Sequence, residues 1–240
     1  TLSWARNARF REYAAESRLG CSKLPFTNRT IASADAPIPF VRVYGAAVFS
    51  DPNGLEWTWS AADGKVFKTR ECNGASEVTL PAGVTITGPV TFTQTFNGVV
   101  MFRGPALPEL YMSDIDEGFK AVGLEANAVT GATSENLVEG LLTIPAASNG
   151  EWIGNRLYIP VGDLLHISDY LNATRYASVR SQARINQGTA DRLKRFYKFS
   201  EFAGLAFKGQ SVYALYGLQF SLSAMYLDEI TREYGLASPK

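Results

Sequence analysis

Glu56-Trp-Thr-Trp-Ser60, then Asp63-Gly64, then Lys65-Val-Phe-Lys-Thr69 is the stretch that decides the fold class. Two alternating runs flank a dipeptide whose residues both tolerate positive φ, the strongest short-range signal for a tight hairpin. Asn97-Gly98 repeats the arrangement between Thr91-Phe-Thr-Gln-Thr-Phe96 and Val99-Val-Met-Phe102. Phe40-Val-Arg-Val-Tyr44 alternates as well, so residues from 40 onward read as strands.

The hairpin recurs. Trp57–Ser60 leads to Lys65–Thr69, Val99–Phe102 to Leu110–Asp114, Arg156–Ile159 to Leu165–Asp169, and Gly204–Phe207 to Val212–Tyr216. Each unit is an apolar strand, a short turn and an aromatic-containing or apolar strand. Aligning Trp59, Phe102, Ile159 and Phe207 gives spacings of 43, 57 and 48 residues. That period is near the roughly 40–50 residues of a propeller blade. The expectation is an all-β, β-propeller-like fold of antiparallel blades, three to four in number, with a β-sandwich as the alternative. So few blades with open edges are unstable alone, and a closed ring typically has about 4–8. The chain starts at Thr1 and stops at Ser238-Pro239-Lys240 after a strand and a turn. Together these read as an incomplete propeller, continued beyond the chain or completed by a partner.

Residues 1–40 read differently. Gly20, Pro25, Pro37 and Pro39 break regular structure, and Trp4, Phe10 and Tyr13 mark at most one helical turn. The expected organisation is an irregular arm over 1–40 and a propeller-like domain over 41–240.

Composition narrows the function. Lys plus Arg number 23 and Asp plus Glu 23, so no global field attracts nucleic acid or an anionic membrane. No apolar run approaches the roughly 18 residues of a membrane helix, and no secretory signal opens the chain. Cys21 and Cys72 make no disulfide framework and read as reduced thiols.

The chemistry-bearing candidates are weak. Gly204-Leu-Ala-Phe-Lys-Gly209-Gln210-Ser211 has the glycine spacing of a phosphate loop, but Gln210 stands where the lysine belongs and the interior reads as strand. Asp114-Ile-Asp116-Glu-Gly118 begins like a calcium loop and then lacks its later ligands. His166 is the only histidine, inside an alternating run, with no Gly-x-Ser-x-Gly elbow in the chain. Asn28-Arg-Thr30 and Asn172-Ala-Thr174 match the short glycosylation pattern. No catalytic residue, cofactor or metal site is assigned, and the chain reads as a non-enzyme.

One charge asymmetry stands out. Arg175, Arg180, Arg184, Arg192, Lys194, Arg195 and Lys198 face only Asp191 over 175–198, with Tyr176, Phe196 and Tyr197 interleaved. One reading is a surface for DNA or an acidic partner; the other is a solvated loop and a strand edge guarded by cations. Residues 109–125 carry Glu109, Asp114, Asp116, Glu117 and Glu125 against Lys120, and the two segments could complement one another between blades or subunits.

Several segments, in order, carry a resemblance. They are Ala62–Arg70, Ser113-Asp-Ile-Asp-Glu-Gly-Phe119, Glu151–Asp169, Asn172-Ala-Thr-Arg-Tyr176, Arg184-Ile-Asn-Gln-Gly188, Lys208–Leu215 and Leu227–Gly235. From about residue 55 to its end the chain resembles a family of virion structural proteins of tailed bacteriophages, β-propeller components of the tail or neck such as nozzle and hub proteins. The resemblance implies a ring or DNA conduit on the virion axis: a cyclic homo-oligomer bound to other tail or portal-side proteins, touching passing DNA without sequence preference, and no membrane. It implies no catalytic residue. The family runs on past Arg232-Glu-Tyr-Gly235 into further blades. The alternative function is a receptor- or carbohydrate-binding tail module, using aromatics such as Trp57, Trp59, Tyr111 and Tyr158.

Overall fold

The computed structural model describes residues 8–11, 14–17, 42–51, 53–70, 76–96, 98–107, 110–112, 118–121, 140–141, 144–177, 182–185, 191–218 and 222–236. Among them are twenty strands and one short 3-10 turn, Leu222–Ala224.

Sixteen strands form four meanders of four. Blade 1 is β3 (Val43–Ser50), β4 (Glu56–Ala62), β5 (Lys65–Thr69) and β6 (Ser76–Val78). Blade 2 is β7 (Thr91–Gln94), β8 (Val99–Phe102), β9 (Leu110–Met112) and β10 (Lys120–Ala121). Blade 3 is β12 (Glu151–Ile153), β13 (Arg156–Val161), β14 (Leu164–Ile167) and β16 (Gln182–Arg184). Blade 4 is β17 (Leu193–Lys198), β18 (Ala203–Lys208), β19 (Val212–Tyr216) and β20 (Tyr226–Thr231). Every pairing is antiparallel. Two further pairs stand apart: β1 (Ala8–Arg11) with β2 (Ala14–Ser17), and β11 (Gly140–Leu141) with β15 (Tyr176–Ala177). The first is a hairpin where the sequence suggested a helical turn.

The four predicted hairpins are the middle two strands of the four blades. The Asp63-Gly64 turn adopts the expected conformation, with φ of 46° and 87° at its two residues. Contacts between sheets centre on the first strands, β3 to β7, β7 to β12 and β12 to β17, with β13 of blade 3 also against β17. First strands therefore line the inside and fourth strands the periphery, which is the plan of a propeller and excludes the sandwich.

Packing follows from alternation. β4 turns Trp59 and Ala61 toward blade 2, where they meet Val99, Met101, Leu110 and Phe119. The opposite face of blade 2, Val100 and Phe102, meets Leu157 and Ile159 of blade 3. Blade 3 in turn offers Ile153, Tyr158, Leu165 and Ile167 to Phe196, Ala206, Tyr213 and Leu215 of blade 4. Four blades thus give three apolar clusters. A sheet with a neighbour on each side buries both its faces, which explains why Val-Val-Met-Phe in β8 is apolar at every position rather than alternating. Ile159 faces backward to blade 2 while Trp59 and Phe102 face forward. The forward-facing residue of β13 is Tyr158, so the sequence alignment was one residue out of phase in blade 3.

Close approach dictates one glycine. A Cβ on Gly45 in β3 would run into the Val90 carbonyl oxygen. There the segment entering β7 lies against β3, with the Val90 amide donating to the Tyr44 carbonyl.

Phe102 is fully buried and Phe96 is 63% exposed. Phe102→Ala is expected to lower unfolding free energy by about 3–5 kcal/mol, and Phe96→Ala by less than about 0.5 kcal/mol. Urea denaturation of both variants beside the parent chain measures the difference.

Candidate functional site

The inner strands of all four blades border a single pocket of 270 Å³. Its walls include Val48 and Phe49 of β3, Thr93 and Gln94 of β7, Glu151 and Trp152 of β12 with the preceding Asn149, and Arg195 of β17. A first strand is a sheet edge, and its outward backbone groups have no ladder partner. Side chains of the adjoining blade supply them. Gln94 accepts from the Ser50 amide at 3.2 Å and donates to the Ser50 carbonyl at 2.5 Å. Thr91 and Thr93 donate to the carbonyls of Ser148 and Gly150 at 2.7 and 2.6 Å. Asn149 Nδ2 donates to the Lys194 carbonyl at 3.4 Å.

Polarity in the pocket is unevenly satisfied. Asn149 Oδ1 and Arg195 Nε are buried with no partner among the described residues. Burial raises the Glu151 carboxyl above its ordinary value, and the nearby charges of Arg195 and Lys198 oppose that shift.

A larger cleft of 430 Å³ opens between blades 3 and 4 at the rim. Trp152 lines it as well as the axial pocket. Its other walls are Gly154 and Asn155 of the β12–β13 turn, Tyr170 after β14, Lys198 of β17, and Glu201 and Phe202 of the β17–β18 turn. Asn155 Nδ2 donates to Tyr170 Oη at 3.2 Å, and Lys198 Nζ pairs with Glu201 at 2.5 Å. The Arg156 guanidinium sits 5.7 Å from the Tyr170 ring centre.

The six described basic residues fall on different parts of the fold. Lys194, Arg195 and Lys198 lie on β17, the innermost strand of blade 4. Arg184 is exposed on β16, the outermost strand of blade 3, and the exposed Arg192 precedes β17. The chain crosses from periphery to axis within this segment, so neighbours in sequence separate in space. Arg175 is exposed and pairs with Asp169 at 3.1 Å. Arg195 stacks on Tyr197 at 5.6 Å. Arg180 lies outside the described residues, as do Glu109, Asp114, Asp116, Glu117 and Glu125, Cys21 and Cys72, and Asn28–Thr30.

The phosphate-loop look-alike has a definite explanation. Ala203–Lys208 is strand β18, and the amides beyond it are already bound by an anion of the chain itself. The Asp191 carboxylate accepts from Gly209 N at 2.6 Å and Gln210 N at 2.8 Å. Asn172 accepts from the amide and hydroxyl of Thr174 at 3.0 and 2.9 Å, a local turn contact. Among the described residues no group of three acidic, cysteine or histidine side chains is placed to hold a metal, and no helix is long and apolar enough to cross a membrane.

Two of the four aromatics singled out for sugar stacking are core. Trp59 and Tyr158 are fully buried. Trp57 is half-buried, with Lys68 5.2 Å from its ring centre. Tyr111 is on β9, its side chain outside the description. Sequence reasoning missed Trp152, Tyr170 and Phe202, because each sits in or beside a turn and only the docking of blade 3 on blade 4 brings them together.

These features define a β-propeller segment of four blades with polar cavities at its axis and rim. Comparison with solved structures agrees on the fold. The chain is similar to streptogramin B lyase, a propeller protein, at TM-score 0.50 and 11% identity, covering 86% of this chain and 59% of that one. It also aligns with YCF48 bound to D1 peptide, at TM-score 0.47 and 10% identity, covering 76% of this chain and 56% of that one. The chain therefore spans a little over half the length of these propellers. Such low identity carries the fold alone. No family model matches the sequence, and no curated protein does.

His166 on β14 is 7% exposed, and burial holds its pKa below the ordinary 6.5. A depressed folded-state pKa means the unfolded chain binds the proton more readily. The neutral residue's contribution is then complete above pH 6.5 and fades as pH falls through that value. Glu151 acts in the opposite direction, costing stability as pH rises through and beyond 4.5. His166→Gln should flatten the loss of unfolding free energy between about pH 6.5 and pH 5. Denaturant titrations at several pH values measure it, and an unchanged slope would assign the pH response to other groups.

Proposed function

We propose that this chain is a non-catalytic structural component of a tailed-phage virion, in the tail or neck, contributing blades to a ring or DNA conduit on the virion axis. The resemblance over residues 55–240 supplies the setting, and one structural observation supports an assembly role: the far face of blade 4. Leu205 and Phe207 of β18 and Val212 and Tyr216 of β19 lie on this face and are only half-buried. Tyr197 and Tyr226 beside them are 52% and 61% exposed. The forward-facing residues at the matching places on the other blades, Trp59, Phe102 and Tyr158, are fully buried against the next blade. An exposed apolar patch of this kind marks an interaction surface. Continuity with three existing interfaces names its occupant, a further four-stranded blade of the same build. Lys194, Arg195 and Lys198 bring positive charge to the inner strand of blade 4, in keeping with a part near nucleic acid. The lyase neighbour is an enzyme, but at 11% identity it says nothing about catalysis in this chain.

The decisive measurement is the mass and oligomeric state of the protein extracted from its native particle. The proposal expects a ring bound to other virion proteins, whereas a free monomer with no place in particles would overturn it. Phe207→Glu places a charge on the open face and should block assembly while leaving thermal unfolding of the isolated chain within about 1 kcal/mol of the parent.

A further inference from the structure

We infer that the rim cleft between blades 3 and 4 is a binding site for a neutral oligosaccharide, with Trp152, Tyr170 and Phe202 as its aromatic surfaces. Three rings line one cleft, and two of them are more than half exposed: Tyr170 is 54% and Phe202 53% exposed. Solvent-exposed aromatic surface matches the apolar C–H face of a pyranose ring, which a flat π-surface covers. Hydroxyl groups need both donors and acceptors around that platform. The cleft supplies an amide in Asn155, an ammonium in Lys198 and a carboxylate in Glu201. These are preorganised. Asn155 Nδ2 bonds to Tyr170 Oη, Arg156 lies against the Tyr170 ring, and Lys198 is held by Glu201.

The second observation lies on the axial side of Trp152. The pocket that shares this residue contains an orphan acceptor, Asn149 Oδ1, on a side chain only 3% exposed, and an orphan donor, Arg195 Nε. Buried polar atoms are ordinarily paired, so an acceptor and a donor left together point to an occupant. A hydroxyl satisfies both kinds of group at once. An anionic ligand would meet the Glu151 carboxyl and Glu201, and a cationic one Arg195 and Lys198. This balance selects a neutral ligand. At 430 Å³ the rim cleft falls within the size range of small-molecule sites. Longer sugars could reach past Trp152 toward the axis.

The site is independent of whether the chain assembles into a ring, because all its walls belong to one chain. The test is an array of neutral hexose and N-acetylhexosamine oligosaccharides probed with the purified chain, followed by calorimetric titration of the strongest binder. The expected result is saturable binding that falls at least 10-fold in the double variant Tyr170→Ala/Phe202→Ala. Both replaced residues are exposed, so folding should survive, and unfolding midpoints check this. Phe96→Ala removes an exposed aromatic elsewhere and should leave affinity unchanged. Asn149→Asp adds a charge on the axial side and should weaken long oligosaccharides more than short ones. No binding across the array, binding undiminished in the double variant, or an equal loss in Phe96→Ala would each overturn the assignment.

Discussion

The free edge of the inner strand is the constraint on which the rest of this molecule depends. Each blade starts with a strand that has a ladder on one side only, and four such strands are brought together near an axis. The backbone groups on the open side cannot all be left to water in so crowded a space. Gln94, Thr91, Thr93 and Asn149 answer this by reaching from one blade to the main chain of the adjoining one. Side chain to main chain bonds of this sort, part-buried at Thr91, Thr93 and Asn149 and exposed at Gln94, each contribute about 0.5–1.5 kcal/mol. Their second effect is geometric, since each fixes the radial height of one blade against its neighbour.

With the inner edges pinned, the outer parts of the blades are free to fill space with hydrophobic side chains. The first cluster does so with rings, edge to face at Phe49–Trp59, Phe49–Phe92 and Trp59–Phe119. Phe49, Trp59, Phe92 and Phe119 stand about 6 Å apart, the separation aromatic quadrupoles prefer. The last cluster is richer in aliphatic residues and sets Tyr158 against Phe196, with the Tyr158 hydroxyl donating to the Leu218 carbonyl. Burial raises the pKa of that phenol strongly, so the hydroxyl keeps its proton and remains a donor. Small residues permit these approaches where strands come closest. In blade 4, Gly204 leaves room for the Phe196 ring to lie across the neighbouring strand.

The strand pattern was legible because it rests on short-range chemistry. Asp63-Gly64 needs two positive φ angles, and both are present. Val99–Phe102 and Val212–Tyr216 match β8 and β19 residue for residue. First and fourth strands were harder to see. Glu151–Ile153 and Ser76–Val78 are three residues each and gain their conformation from pairing, not from their own alternation. The phase error at Ile159 has a similar origin, because a strand buried on both faces carries no periodic mark of which face looks forward. As for the candidate sites, a run of cations was plain in the sequence, but its division between periphery and axis depends on where the chain crosses between blades. The rim cleft was invisible for the same reason: its residues come from turns and the strand ends beside them, in two different blades.

Each blade is also built from consecutive stretches of chain and touches only the blades before and after it. Such an architecture behaves as a row of coupled units, whose resistance to opening is the sum of neighbouring joints rather than the property of one core. Heat or a pull on such a row opens its end members first, because an end blade is held by one joint and a middle blade by two. Blades 2 and 3 are in the protected position and blade 4, among the described residues, is held from one side, through Phe196, Ala206, Tyr213 and Leu215, the Tyr158 hydroxyl and the Asn149 amide. Covering its far face would do more than hide apolar surface. It would convert an end unit into an interior one, and the fastening of a neighbour would become the lock on this chain's own fold.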